Sequence, residues 1–139
     1  MAARAASRIG AGLVTVATPE KLNPILENKL TEEMTVPVSC DGSGQWNDRS
    51  AEEVTSLIQG KTCIVVGPGL SSTESAQKVV EKVLIEAHCP VVLDADGLNC
   101  VVGKLDKLTG RQKHMVFTPH PGEMARLTGL SSNEIQANR

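Results

Sequence analysis

The residues best suited to chemistry gather in three short stretches: Gly67-Pro68-Gly69-Leu70, Asp94-Ala95-Asp96-Gly97-Leu98-Asn99 and Thr118-Pro119-His120-Pro121-Gly122-Glu123. The last is the most unusual. Its prolines restrict the backbone on both sides of His120, so the imidazole is held with little freedom. Stiff polar loops of this kind serve ligand sites more often than random turns do, although a rigid turn with a solvent-exposed His120 accounts for the same residues. Asp94 and Asp96 alternate on the chain, so an extended backbone points both to one side. Two such carboxylates can hold a magnesium ion, bond sugar hydroxyls, or fix a turn and cap the helix behind it. Gly67 and Gly69 leave little side-chain bulk, let backbone amides approach a ligand, and precede a helix whose positive dipole end faces the same place. A Pro-Gly turn that merely reverses the chain fits them too. The spacing is neither GxGxxG nor a Walker A loop, so no phosphate motif is read from it. His88 and His114 lie at the end of a helix and the start of a strand, and have no role.

The elements that must position these stretches follow from periodicity. Ala2 to Ile9 reads as a helix and Gly12 to Ala17 as a strand rich in β-branched residues. Pro19 to Lys29 carries Leu22, Ile25 and Leu26 at helical spacing, and Met34 to Val38 is a short strand. Asp41 to Asp48 is turn-rich. Ser50 is placed to cap a helix through Val54, Leu57 and Ile58, with Gly60 as its stop. Thr62 to Val66 is a buried strand, after which Ser71 and Glu74 form a capping box. Ala76, Val79, Val80, Val83, Leu84 and Ala87 then mark one face of a helix. Val91 to Leu93 and His114 to Thr118 are further strands. Lys104 to Lys113 is a charged surface segment between them. A helix starts at Glu123, and Ser131 with Glu134 forms a second capping box. The order is β-α-β-α-β. The strands are almost continuously apolar, as strands of a parallel sheet covered on both faces are. Each of the three stretches follows a strand, so all three are expected at the carboxyl edge of one sheet, where ligands of open α/β sheets sit.

Composition narrows the function classes. The 139 residues suit one domain, and 40% hydrophobic content supplies a core. With a net charge of -2 the chain lacks the basic excess of a nucleic-acid binder. No apolar run reaches the roughly 18 residues of a membrane helix, and the amino-terminal stretch has no long apolar segment typical of a signal peptide. Cys40, Cys63, Cys89 and Cys100 form no CxxC pair, so no zinc site is expected; they read as small hydrophobes of a reduced cytoplasm. Trp46 and Phe117 are the only aromatics, so the core must be built from Val, Leu, Ile and Ala.

Taken in order, GAGLVTVATP at 10–19, GPGL at 67–70, VVLDADGLN at 91–99 and VFTPHPGEMARL at 116–127 resemble the ADP/ATP-dependent NAD(P)H-hydrate dehydratases of the ribokinase-like superfamily. The likeness covers essentially the whole chain, and the tandem of VLDADGLN and TPHPGE is its specific part. It implies a ribokinase-like three-layer α/β sandwich with a mainly parallel sheet, present here in part. It implies dehydration of hydrated NADH or NADPH, coupled to ADP or ATP with Mg2+: the nucleotide phosphorylates the hydrate hydroxyl and phosphate leaves. It further implies that Gly69 and His120 line the hydrate pocket. Gly67, Asp94, Asp96, Asn99, Gly122 and Glu123 match the motifs beside them as substrate-binding candidates.

Family members run to roughly twice this length and carry a Gly-Thr-Gly-Asp whose aspartate is catalytic; no such motif occurs in these 139 residues. The expectation is therefore a partial dehydratase domain without the carboxyl-terminal nucleotide half, with no catalytic residue of its own and inactive alone. The intact enzyme is expected to be a cytoplasmic homo-oligomer that binds neither nucleic acid nor membrane. Rival readings are a ribokinase-type kinase of hydroxymethylpyrimidine or a sugar, and a non-catalytic nucleotide-binding module.

Overall fold

A computed structural model describes residues 1–108 and 114–137; residues 109–113 of the charged surface segment lie outside the described residues. Five strands, β1 (Thr15–Pro19), β2 (Met34–Val38), β3 (Ile64–Val66), β4 (Val91–Leu93) and β5 (Met115–Phe117), alternate with seven α-helices among the described residues. These are α1 (Ala2–Arg8), α2 (Asn23–Lys29), α3 (Ser50–Leu57), α4 (Glu74–Glu86), α5 (Asp96–Cys100), α6 (Pro121–Thr128) and α7 (Ser132–Ala137). None of the described helices is long and apolar enough to cross a membrane.

All pairing between these strands is parallel, as the apolar strands imply, but it is divided between two sheets rather than one: β1 with β2, and β3-β4-β5 in that order. Pairing also sets the strand limits. β1 starts at Thr15, not Gly12, because its first partner is Met34. β3 starts at Ile64, whose amide bonds the Pro90 carbonyl at 3.0 Å; Pro90 has no N–H to carry the ladder back to Cys63. Cys63 is accordingly exposed, against the expectation of a buried thiol, whereas Cys89 and Cys100 are buried.

α4 supplies the core. Ala76, Val79, Val80, Val83 and Leu84 are buried along its apolar face, where each Val or Leu contributes about 1.5–3 kcal/mol. They share one cluster with Val54 and Ile58 from α3 and its end, with Val66, Val91 and Leu93 of the sheet, and with Leu98, Cys100 and Val101. The opposite sheet face differs from expectation. In register, Val65, Val92 and Val116 form a row across β3-β4-β5, and Val65 and Val116 stand 53% and 51% exposed. Among the described residues this face is open at its two outer strands, with Val92 half-buried between them.

Two caps also differ. Thr73, not Ser71, caps α4, its side chain accepting from the Ala76 amide. Ser71 sits at φ 67 two residues before the cap position, and its amide bonds Asp96, so the Ser71–Glu74 capping box does not form. Ser50 lies inside α3 and donates its hydroxyl to the Ser39 carbonyl, while Asn47 Oδ1 accepts the Arg49 and Ser50 amides. The second capping box holds: Glu134 accepts from the Ser131 amide at 2.8 Å and donates its own amide to Ser131 Oγ at 3.2 Å.

Candidate functional site

Because β3, β4 and β5 are parallel neighbours in that order, the segments leaving their carboxyl ends lie side by side. The GPGL, DADGLN and TPHPGE stretches are these segments. The second and third are bonded to each other through Asp94 and Thr118, and the first joins the second through Ser71, the residue that follows it.

The first junction is steric. Gly67 has φ 130, and a Cβ there would lie 1.7 Å from the Asp94 carbonyl oxygen. Gly97 faces it, and a Cβ on Gly97 would meet the Val66 carbonyl oxygen at 2.5 Å. The end of β3 and the start of α5 therefore touch backbone to backbone. Gly69 is different: φ is 72, and nothing lies within 4 Å of a Cβ built there. Gly67 serves the scaffold, and Gly69 faces open space.

Asp94 and Asp96 part company. The segment expected as a loop turns into α5 at Asp96, directly after Ala95 at φ 49 and ψ -118. That strained residue separates the two side chains. Asp94 Oδ1 accepts from the Thr118 hydroxyl at 2.8 Å, tying β4 to the segment after β5. Asp96 Oδ2 accepts from the Ser71 amide at 2.8 Å, tying α5 to the loop after β3. Asp96 makes no cap bond to α5. Asn99 Nδ2 donates to Asp96 Oδ1 at 3.4 Å, and Asn99 Oδ1 accepts from Arg126 Nε at 2.9 Å. Non-glycine residues at positive φ are uncommon and collect at functional sites; Ser71 and Ala95 are the two among the described residues.

His120 is the N-cap of α6. Its Nδ1 accepts from the Gly122 amide at 3.1 Å, which leaves the ring hydrogen on Nε2, facing Glu123 Oε1 at 3.4 Å. Glu123 Oε2 in turn accepts from the His120 amide at 2.9 Å. The Glu123 side chain is 9% exposed against 64% for His120, so Glu123 stands behind the imidazole as a brace. Pro121 opens the helix, where its missing N–H costs nothing.

The thiol of Cys100 donates to the Ser71 carbonyl at 3.7 Å. Burial, and then the nearby Asp96 charge, pushes it up to about 11, with Lys104 opposing. It is a packing residue rather than a nucleophile.

Ser71, read from sequence only as a helix cap, and Gly97, Thr118 and Arg126 were given no site role. Thr118 and Gly97 stand inside the motif stretches, and Arg126 follows Glu123 by one helical turn, so helical spacing points it to the same side of α6. Ser71 carries no signal in sequence, because its role is played by its backbone amide.

Groups of three or more His, Cys, Asp or Glu able to hold a metal are absent among the described residues. Asp94 and Asp96 bond separate partners, so they do not form the paired-carboxylate Mg2+ cradle that their spacing allows. A cavity of about 360 Å³ opens elsewhere, at the ends of β1 and β2, lined by Glu20, Ser39, Cys40, Asn47, Asp48 and Arg49. Asp48, one of its lining residues, is bonded by Lys78 of α4 at 2.9 Å. The cavity includes none of the motif residues.

The sequence profile described as NAD(P)H-hydrate dehydratase matches residues 1–139. The bifunctional NAD(P)H-hydrate repair enzyme of Coxiella burnetii is 40% identical over 139 residues, 100% of this chain and 25% of that protein. The ADP-dependent (S)-NAD(P)H-hydrate dehydratase of Bacillus subtilis is 37% identical over 142 residues, covering 100% of this chain and 45% of that protein. A ribokinase-like superfamily protein from Enterococcus faecalis superposes with a TM-score of 0.76 at 26% identity, over 97% of this chain and 47% of its own. A hypothetical protein from Streptococcus mutans gives 0.77 at 26% identity, over 96% and 45%. The fold is ribokinase-like, and the chain spans between a quarter and a half of these relatives.

Proposed function

The chain belongs to the NAD(P)H-hydrate dehydratase family, whose profile spans residues 1–139, and on that premise we propose that its β3-β4-β5 edge is the hydrate-facing part of an ADP- or ATP-dependent dehydratase. The observation that carries this reading is the joining of the three strand-end segments into one edge, through Ser71, just after GPGL, to Asp96 and through Thr118 to Asp94. His120 forms one wall of the crevice, braced by Glu123. Gly69 lets the backbone come close to the bound ring system. Asp94 and Asp96 hold the wall segments in register, and Asn99 and Gly122 shape the side nearest α6. Gly67 makes the close approach that brings β3 to α5.

Dehydration of a hydrated nicotinamide requires its ring hydroxyl to become a leaving group. In phosphoryl transfer the protein's share is positioning, charge neutralisation and a base near the hydroxyl. The residues here serve positioning. We assign the base and the nucleotide's main contacts to the Gly-Thr-Gly-Asp half of the family domain, which makes residues 1–139 a partial domain, inactive alone. Mg2+ would arrive with the nucleotide's phosphates, the usual arrangement for this ion, and no step is routed through Asp94 or Asp96. Free cysteines agree with a cytoplasmic setting, and the intact enzyme is taken to be a homo-oligomer.

The test offers hydrated NADH with ADP, and then hydroxymethylpyrimidine and a sugar panel with ATP, to the intact gene product. Recovery of NADH absorbance is the expected result. Phosphorylation of the vitamin or a sugar, with hydrated NADH left unchanged, would establish the kinase reading instead.

A further inference from the structure

The cavity of about 360 Å³ at the ends of β1 and β2 takes no part in the reading above, since no motif residue lines it. Its size is that of a small-molecule cleft, a class that begins at roughly 300 Å³. It opens where two parallel strands end, the edge at which open α/β sheets take ligands. Glu20 follows β1, Ser39 and Cys40 follow β2, and Asn47, Asp48 and Arg49 lead into α3. These walls are tied together. The Glu20 amide bonds the Val38 carbonyl at 2.8 Å. Cys40 bridges to Trp46, which is buried in the core. Asn47 Oδ1 accepts the Arg49 and Ser50 amides.

The bonds already made show which groups remain for a ligand. The Ser39 amide and hydroxyl both donate to Glu53, which engages that carboxylate as well. Arg49 is exposed, and among the described residues its guanidinium has no bonded acceptor. Glu20 Oε1 receives only the Cys40 thiol, at 3.8 Å. Asp48 Oδ1 is held by Lys78 at 2.9 Å, which leaves Oδ2 open. The lining therefore offers one free guanidinium fork and two carboxylates. A simple anion would meet Glu20 and Asp48. A metal ion would meet Arg49, and among the described residues no group of three His, Cys, Asp or Glu is placed to hold one. A neutral ligand would exclude water from these charges without pairing them, which is costly. A zwitterion satisfies both signs: its carboxylate matches the guanidinium fork, and its ammonium matches the carboxylates.

We propose that this cavity binds a small zwitterion of the α-amino-acid class, with its carboxylate on Arg49 and its ammonium on Glu20 and Asp48. The half-buried Cys40 in the cavity wall reports occupancy without any assay of dehydration. The intact gene product is alkylated at neutral pH in the presence of each common thiol-free α-amino acid, and Cys40 labelling is read against the exposed Cys63 by peptide mass spectrometry. At least one amino acid should slow labelling of Cys40 and leave Cys63 unchanged. Its methyl ester and its N-acetyl form, each lacking one charge, should not protect. Arg49→Gln and Glu20→Gln should raise the half-protecting concentration roughly 10- to 100-fold, the loss of one charge-assisted bond, at an unchanged thermal midpoint. Arg8→Gln, a charge control on α1, should behave as wild type. Protection by none of the amino acids overturns the assignment. Equal protection by the ester and the N-acetyl form, or an unchanged half-protecting concentration in both cavity variants, overturns it too. So does a rise that merely follows a lowered thermal midpoint. If Cys40 resists alkylation before any amino acid is added, while Cys63 reacts, another part of the protein fills the cavity and the proposal fails. Recovery of NADH from its hydrate does not enter these outcomes, so the dehydratase reading is tested separately.

Discussion

Gly67 and Gly97 pack backbone against backbone: a Cβ built on Gly97 would lie 3.1 Å from the Gly67 Cα and 2.5 Å from the Val66 carbonyl oxygen. This contact sets the spacing between the β3 end and the segment after β4, and the bonds between the Ser71 loop and α5 depend on it. Ser71 could not reach Asp96, nor Cys100 reach the Ser71 carbonyl, if the two segments stood one side chain further apart.

Gly67→Ala should be among the most damaging single substitutions in the chain. It combines positive-φ strain of about 1–3 kcal/mol with overpacking of similar size, because the obstacle is backbone and cannot rotate away. Gly97→Ala should follow closely. Gly69→Ala, with open space around it, should cost only the conformational strain. Urea unfolding of the three variants reads the order directly. Equal midpoints for Gly67→Ala and Gly69→Ala are incompatible with the close contact.

His120 has two separable roles, as the α6 cap and as the crevice wall. His120→Ala should lose about 0.5–2 kcal/mol for the cap and also lose affinity for hydrated NADH. His120→Ser should recover the stability, since a serine hydroxyl can accept from the helix amide, but not the affinity. Thermal melts and ligand titrations on the same samples separate the two roles. If His120→Ser restores binding along with stability, the imidazole is only a cap.

The cysteines should differ in reactivity. Cys63 is exposed, whereas Cys100 is buried with its thiol raised to about 11. Brief alkylation at neutral pH, read by mass spectrometry of peptides, should modify Cys63 and spare Cys100, since the thiolate is the reacting form. Comparable labelling of the two would mean that the Ser71 loop opens freely.

Acid should weaken the β2–α3 junction through Glu53. The Ser39 hydroxyl, and then the Ser39 amide, hold its carboxyl below the ordinary value, with burial opposing. Because the folded state lowers this pKa, the stabilisation is present above the unfolded value of roughly 4.3 and is lost as pH falls through it toward the folded value. Glu53→Gln should flatten this part of the acid-side stability profile. An unchanged slope below that pH in denaturant titrations would assign the acid sensitivity to other groups.

The parallel strands and the gathering of GPGL, DADGLN and TPHPGE at one edge were legible because apolar runs and turn residues are local signals. What escaped the sequence depends on contacts made in three dimensions. The divergence of Asp94 and Asp96 comes from Ala95 at φ 49, a conformation that an alanine does not advertise. Thr73 rather than Ser71 caps α4 because the helix begins at Glu74, while the Ser71 amide bonds Asp96, 25 residues away. The uncovered Val65 and Val116 could not be told from buried strand residues, since an apolar run reads the same whether one face is covered or two. The braced His120 was half visible: its prolines announced stiffness, but Glu123 looked like a crevice carboxylate and is instead its support.

The central claim is that hydrated dinucleotide binds at the edge built by the three motif stretches. The most direct measurement is titration of the 15N-labelled chain with hydrated NADH, following backbone amide shifts. The account predicts that Gly69, Ser71, Gly97, His120 and Gly122 move together with a single dissociation constant. Shifts confined to Glu20, Ser39, Cys40 and Arg49, around the cavity at the ends of β1 and β2, or no shifts at the motif stretches, would contradict it.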